Sequence, residues 1–500
     1  MPISFNYVPS GIRVPLFYAE VDASAASSTA GTNQTALLGQ MTSEGTATVG
    51  EPVLVTTASK AKTLFGRGSQ LARMVEAYRL NDPAGVLYAV PLAEPSGAAA
   101  SGKIAFSGEA TLAGTVYVYV AGTRVSAGVS VGDNANTVAV NIAAAVNAAA
   151  DLPVTAKVLS GEDTVTFTAK NIGLIGNEIP VVLNYAGVAS GESLPEGIGA
   201  SVGAMAGGAG TPDVAVGFKA LGEDSFEFIA MPYSDSTSLD AAKTAMNDAS
   251  GRWSPLRQLY GHVYTVRRGE SSDLVTYGSA RNDQHMTIFG LEPGSPEAIC
   301  AVVGAAAGRQ AAFISNDPAR PTQTGILYGI TAPKLQNRFA LEDRQALLTN
   351  GIATLYVGGG YVRIERAITT CQKNAFGDTD VSYLDSETLH TLSYVIRYLR
   401  GIITTKYARH KLANDGTRFG AGQAVVTPSV IRGELIAAYR KLEYKAIVEN
   451  GDAFADALVV ERDEDDVNRL NVLFAPDLVN QLRVFALLAQ FRLQYDTTEE

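Results

Sequence analysis

An α/β rhythm that stops, yields to a long charge-poor block and then resumes constrains this chain more than any other feature. In the first stretch Thr35–Gly39 and Val53–Thr56 read as strands. Ser59 is placed to cap a short helix that ends at Phe65, with Gly66 as its stop. Gln70–Leu80 carries Leu71, Met74, Val75 and Tyr78 at helical spacing, and Asn81-Asp82-Pro83 closes it. Val86–Pro91 is an apolar strand. Strands that alternate with helices build parallel sheets.

From Pro95 to Pro212 the basic residues are Lys103, Arg124, Lys157 and Lys170, and strand patterns dominate. They fall at Thr115–Val120, Thr123–Val129, Thr155–Leu159, Thr164–Ala169 and Glu178–Tyr185, with a helix over Thr137–Ala150 among them. A Pro/Gly/Ala run at its start and Gly207–Gly210 at its end read as flexible hinges. At Asp213 the α/β rhythm returns: strand Phe226–Met231, helix Ser236–Ser250, strands Leu259–Val266 and Thr287–Phe289, helices Pro296–Phe313 and Leu341–Asn350, strand Ala353–Val357. Gly358–Gly360 then reads as a turn between two strands. The two outer stretches are predicted to share one sheet, with the β block inserted between them.

The last region differs again. Asp385 is placed to cap a helix from Ser386 to about Leu412, with Leu389, Leu392, Ile396, Leu399 and Ile403 as its apolar stripe. Thr427-Pro428 opens another helix that runs to a stop at Asn450-Gly451. Strands Leu458–Arg462 and Asn468–Phe474 follow, joined by a solvated acidic turn at Asp463–Asp466. The resulting division is an arm at 1–22, an α/β domain at 23–94 and 213–370, an inserted mostly-β outer domain at 95–212, a C-terminal α+β domain at 371–480 and a second arm at 481–500.

Both ends read as strands able to pair with another copy. From Ala489 to Tyr495, Phe491, Leu493 and Tyr495 alternate with Gln490, Arg492 and Gln494. Such period-two patterning places one face on a core and the other in water. At the other end Val14, Leu16 and Tyr18 alternate around Pro15, whose missing N–H suits a sheet edge. Edge strands offer unpaired backbone groups to any arriving segment, so a chain that both offers and accepts strands can polymerise. The competing expectation is that both ends pack into their own domain.

Composition excludes several functions. A net charge of −11 lacks the basic field that nucleic acid or an anionic membrane surface requires. Charged residues make up 18%, low for a soluble chain, so much of the surface is either uncharged or buried in an assembly. Cys300 and Cys371 sit in apolar surroundings and read as buried free thiols. The N-terminal sequence has no secretory signal pattern, and no apolar run reaches a membrane-spanning length of roughly 18 residues. Gly97–Lys103 nearly spells a phosphate loop, but Ile104 stands where a hydroxyl must hold magnesium. His262, His285, His390 and His410 form no metal-ligand spacing. No cofactor and no catalytic residue is predicted.

Pro9–Asp22, Leu37–Gln40 with Pro52-Val53, the Lys60–Gly66 phrase ending in Leu-Phe-Gly, Phe228–Tyr233 and Asn480–Ala486 together resemble the contractile phage tail sheath proteins, the Mu-like branch in particular. The resemblance spans nearly the whole chain and is weakest in the insertion. It implies a multidomain α/β and α+β fold: a subtilisin-like α/β core, an inserted mostly-β domain, a C-terminal α+β domain and extended terminal arms. The protease motif Gly-Thr-Ser-Met-Ala has no counterpart here, so peptidase activity is not carried over. The implied function is a structural subunit that polymerises helically around a tail tube through exchanged β-strand arms, then contracts to drive the tube through the host envelope. The implied partners are further copies of itself, the tail tube protein, and the baseplate and tail terminator proteins. Neither nucleic acid nor a membrane anchor is implied. The implied place is the virion tail, assembled in the host cytoplasm. The alternatives are a subtilisin-like hydrolase and another self-assembling surface or tube protein.

Overall fold

A computed structural model describes residues 33–493 of the chain. Its centre is a six-stranded sheet. Across it lie Val53–Leu54, Val86–Leu92, Gln34–Gln40, Phe228–Ala230, His262–Arg268 and Met286–Leu291, all parallel except the short Val53–Leu54 edge. Gln34–Gln40 pairs with Val86–Leu92 on one side and Phe228–Ala230 on the other. One strand thus joins the two stretches that the insertion separates, as the resumed rhythm predicts. Helices cover both faces, so the inner strands are buried on both sides and read as continuous apolar runs.

One face is covered by Gln70–Asn81 and Ile299–Asn316. These helices approach so closely that a Cβ on Gly304 would lie 2.4 Å from the Met74 carbonyl oxygen, and one on Gly308 2.6 Å from that of Tyr78. Val214–Ala220, Ser236–Met246, Ser271–Ser279 and Leu341–Thr349 cover the other face. Two of these, Val214–Ala220 and Ser271–Ser279, are absent from the sequence-based reading; each is short. The first helix is capped by Thr57, whose side chain accepts from the Lys60 amide, and not by Ser59, which lies inside it.

The insertion has its own core. A four-stranded antiparallel sheet (Ile198–Ala206, Ser101–Gly108, Thr164–Ala169, Val154–Val158) and a three-stranded one (Thr123–Val129, Gly114–Val120, Val181–Leu183) enclose the helix Ala135–Ala148. The expected strand Glu178–Tyr185 shrinks to Val181–Leu183, because Leu174–Glu178 is a 3-10 turn. The flanks are not loose hinges. Ala98 and Ala209 exchange backbone hydrogen bonds of 3.1 and 3.0 Å, and Gly97 permits the approach, since a Cβ there would meet the Ala209 oxygen at 1.9 Å. The block also docks on the α/β sheet. Asp151 pairs with Arg67 at 2.9 Å and Lys62 at 3.0 Å, and Glu178 with Arg268 at 3.1 Å.

The C-terminal part packs Ser386–Tyr407, Pro428–Tyr444 and Gly451–Ala457 around Val395, Leu435, Tyr439 and Phe454. Thr427 caps the second helix with Pro428 at its first position, as read from the sequence. That helix ends at Tyr444, and Asn450, at φ 56°, begins the next short helix where a stop was expected. The long helix ends at Tyr407, because Lys411–Leu412 leaves to pair with Val425–Val426.

The apolar stripe predicted on that long helix is only partly buried: Leu389 is enclosed, while Leu392, Ile396, Leu399 and Ile403 are half-buried. The enclosed face of its first turns is instead polar, with Glu387, His390, Thr391 and Ser393. The reason is Glu227, just before the strand Phe228–Ala230 and fully enclosed under the helix. His390 Nδ1 lies 2.5 Å and Ser393 Oγ 2.9 Å from one carboxylate oxygen, and Arg397 binds the other. His390 Nε2 reaches the Tyr264 hydroxyl at 2.7 Å. Burial pushes the Glu227 carboxyl up, but Arg397 and His390 outweigh it and hold it at about 2. The depression adds stability above about pH 4 that is withdrawn as the pH falls toward 2.

Glu227→Gln should therefore destabilise the fold by about 2–4 kcal/mol, because it removes the enclosed carboxylate that Arg397 and His390 are paired with. Ser393→Ala should cost only about 1 kcal/mol, since Arg397 and His390 still hold the carboxylate. Denaturant melts rank the pair, and equal losses would contradict the joint as described.

Candidate assembly site

The C-terminal segment is assembled from a hairpin and a strap. Val459–Arg462 and Leu470–Leu473 form a two-stranded antiparallel sheet. Its acidic turn is solvent-exposed and locally closed: Asp463 accepts from the Asp465 and Asp466 amides at 3.0 and 2.8 Å. An isolated two-stranded hairpin is marginal in water. Val459, Val472 and Leu473 are left exposed on it.

Beyond the hairpin Phe474 packs against Phe454 and Tyr439. The strap then crosses back toward the α/β part. Asp477 accepts from the Glu449 amide at 2.9 Å, and the Val479 amide donates to Ile447 at 3.2 Å. Gln481 Nε2 reaches the Ala319 carbonyl at 3.1 Å, and Gln323 Nε2 the Leu482 carbonyl at 3.2 Å. Arg483 ends it. Its guanidinium meets Gln323 Oε1 at 3.2 Å, Asp385 Oδ1 at 3.0 Å and Glu387 Oε2 at 3.2 Å.

No strand forms over 484–493, where one was expected from Ala489 onward. Phe491 is 85% and Leu493 97% exposed, and Val484, Phe485, Leu487 and Leu488 are similarly bare. Leu493 and Phe491 therefore do not pack into their own domain. Tyr495 lies outside the described residues, as do Val14, Leu16 and Tyr18 of the N-terminal arm. In an extended chain alternate residues share a face, and the odd positions Phe485, Leu487, Phe491 and Leu493 make one stripe. The sequence reading found its second half. It missed the first because Val484 and Leu488 are apolar too and hide the alternation, and it missed Arg483, whose only signal is one cation in an apolar run.

Among the described residues the buried polar groups around Glu227 are engaged with one another. Ser393, His390 and Glu227 are neighbours, but Ser393 Oγ bonds the carboxylate and His390 Nε2 is taken by a tyrosine hydroxyl. A hydrolytic triad needs the serine on the imidazole. His262, fully buried, meets Thr287 Oγ1 at 2.8 Å, and burial drives its imidazole well down toward the neutral form. Cys300 and Cys371 are buried free thiols, as expected, with burial raising both. Among the described residues no group of His, Cys, Asp and Glu is arranged to hold a metal ion, and no helix is long and apolar enough to cross a membrane.

Comparison with known proteins shows the family. Residues 207–370 match the phage tail sheath protein central domain and residues 378–492 the phage tail sheath C-terminal domain. The tail sheath protein of the Mu-like prophage FluMu of Haemophilus influenzae is 41% identical over 497 residues, covering 99% of this chain and 100% of that one. The crystal structure of the sheath tail protein from Desulfitobacterium hafniense shares the fold at a TM-score of 0.50 and 12% identity, over 94% of this chain and 97% of that one. With a relative of that identity running its full length and both family profiles matched, the chain belongs to the phage tail sheath family and is a structural subunit of a contractile tail sheath.

Proposed function

We propose that subunits of this sheath are joined by strand addition through the terminal arms. The observation that carries the proposal is the apolar segment beyond Arg483, whose large side chains are bare in the subunit. An acceptor is at hand: the two-stranded hairpin has open edges and exposed apolar side chains, and further strands would complete it. Val14, Leu16 and Tyr18 from one end, and Phe491, Leu493 and Tyr495 from the other, supply the side chains that enter neighbouring sheets.

Magnitudes favour cooperative assembly. Burying the apolar side chains from Val484 to Leu493 stabilises by about 1.5–3 kcal/mol each. Ordering that stretch costs about 1–2 kcal/mol per residue. The two nearly cancel, and ladder hydrogen bonds add about 0.5–1.5 kcal/mol apiece. One arm alone is then close to neutral, while two arms engaged together raise each other's effective concentration. A template is the natural nucleus, and the tail tube protein fills that role, with baseplate and tail terminator proteins at the polymer's ends. Contraction draws on interface buried in the shorter lattice and uses neither nucleotide nor catalysis. The lack of a phosphate loop and the serine's place on a carboxylate support this. We read the parallel sheet as the family's subtilisin-like core, the block 95–212 as a domain facing outward and the host cytoplasm as the place of assembly, free of nucleic acid and of any membrane anchor.

Ending the chain after Arg483 should leave a folded, soluble monomer that forms no sheath in electron micrographs; sheaths of normal length from it would refute strand addition by this arm. Leu493→Asp should abolish the polymer yet leave the monomer's melting temperature unchanged, because the side chain is bare there. Gln490→Glu, on the polar face, should be milder by light scattering.

Replacing residues 99–208 by a short glycine link between the paired Ala98 and Ala209 should preserve polymerisation. A protein that no longer folds would place the block in the core.

A further inference from the structure

Arg483 stands where ordered chain gives way to bare arm, and it does so inside a compact group of four charges. Arg366 grips Asp385 with two hydrogen bonds of 2.8 and 2.9 Å. Arg483 takes the same carboxylate at 3.0 Å and Glu387 at 3.2 Å. Glu387 has no exposed surface, and its other oxygen accepts from the Thr322 amide and hydroxyl at 2.9 and 2.8 Å. Two cations balance two anions, and the Arg483 side chain is only 11% exposed.

We propose that Arg483 is the latch of the C-terminal arm: a positioning residue for assembly that fixes where the arm leaves the subunit and in which direction. This rests on the reading that the arm joins subunits. Enclosed ion pairs are weak sources of net stability, and their best-attested use is to fix register. The placement here suits that use. Asp385 and Glu387 sit at the start of the long helix Ser386–Tyr407, and Gln323 and Ala319 lie just after the helix Ile299–Asn316. Upstream of the latch the strap is tied by the Asp477, Val479, Gln481 and Leu482 contacts; downstream nothing apolar is enclosed. The latch therefore keeps residues 477–483 ordered before any neighbour arrives. Only the segment beyond must be frozen on docking, and preorganisation of this kind is gained directly as affinity. It also delivers tension on the arm to the junction between the parallel sheet and the C-terminal helices, not to the marginal hairpin.

The test is a charge-neutral unlatching. In Glu387→Gln/Arg483→Gln the amide oxygen still accepts from Thr322, and Arg366 with Asp385 remains a balanced pair, so no lone charge is left buried. In the full-length monomer, amide exchange over 477–483 should rise at least tenfold while the melting temperature holds. The critical concentration for sheath assembly should rise at least tenfold. Arg483→Lys keeps the charge but cannot fork between two carboxylates, and should fall between wild type and the double variant. Assembly of the double variant at the wild-type concentration would overturn the latch, as would unchanged exchange over 477–483. Should the double variant fail to fold, Arg483→Lys decides: a lower melting temperature with an unchanged critical concentration reduces Arg483 to a structural residue. Loss of assembly in the truncation after Arg483 with no change in the latch variants would leave strand addition intact and remove only this inference.

Discussion

Glu227 is a carboxylate with no water to rest in, and the arrangement of the two large units follows from satisfying it. The parallel sheet ends in a row of amino-terminal strand ends, and Glu227 hangs from one of them beneath the long helix. An unpaired ion there would cost several kcal/mol. The helix therefore turns His390, Ser393 and Arg397 inward in its first half. Its second half meets the C-terminal core through Tyr398, Leu399, Ile403 and Tyr407. One helix is thus polar toward one neighbour and apolar toward the other. The joint is directional where an apolar one would allow sliding, which suits a subunit that must move as a rigid body while its contacts with copies change.

Much of this was legible in the residues. Short apolar runs located every strand of the central sheet, and Thr427-Pro428 fixed the start of its helix to the residue. The resumed α/β rhythm was enough to predict the shared sheet, because parallel strands must be covered by crossover helices. What stayed hidden has physical causes. The long helix was read by its apolar stripe, but the partner that decides its enclosed face is a glutamate 163 residues away from His390. Ser59 and Thr57 are equally good caps in composition, and only backbone geometry chooses Thr57. The glycines around the insertion look like hinge residues and serve instead to let two strands of backbone touch.

The site divides in the same way. Alternation around Phe491 and Leu493 reads as an edge strand, and the subunit leaves those side chains bare, as the proposed strand addition requires of a donor. Arg483 carried no such mark. A lone arginine in an apolar run reads as a solubilising charge, and its two carboxylate partners lie about a hundred residues earlier. Periodicity finds surfaces that face a uniform medium. It does not find the contacts between specific charges, which are set by tertiary position.

The bare arm poses a conflict that the rest of the molecule resolves. Contiguous exposed apolar surface invites aggregation, yet an arm that covered itself could not be offered to a neighbour. Three features keep the conflict tolerable. The segment is short, so docking one arm is nearly neutral and stray pairings do not persist. The net charge of −11 repels copies that meet in the wrong orientation. Under the proposed strand addition the hairpin that receives the arm is itself small, so the larger sheet would form only when donor and acceptor come together in register. Solubility of the subunit and cohesion of the polymer then follow from the same weak interaction, counted once in the first and many times in the second.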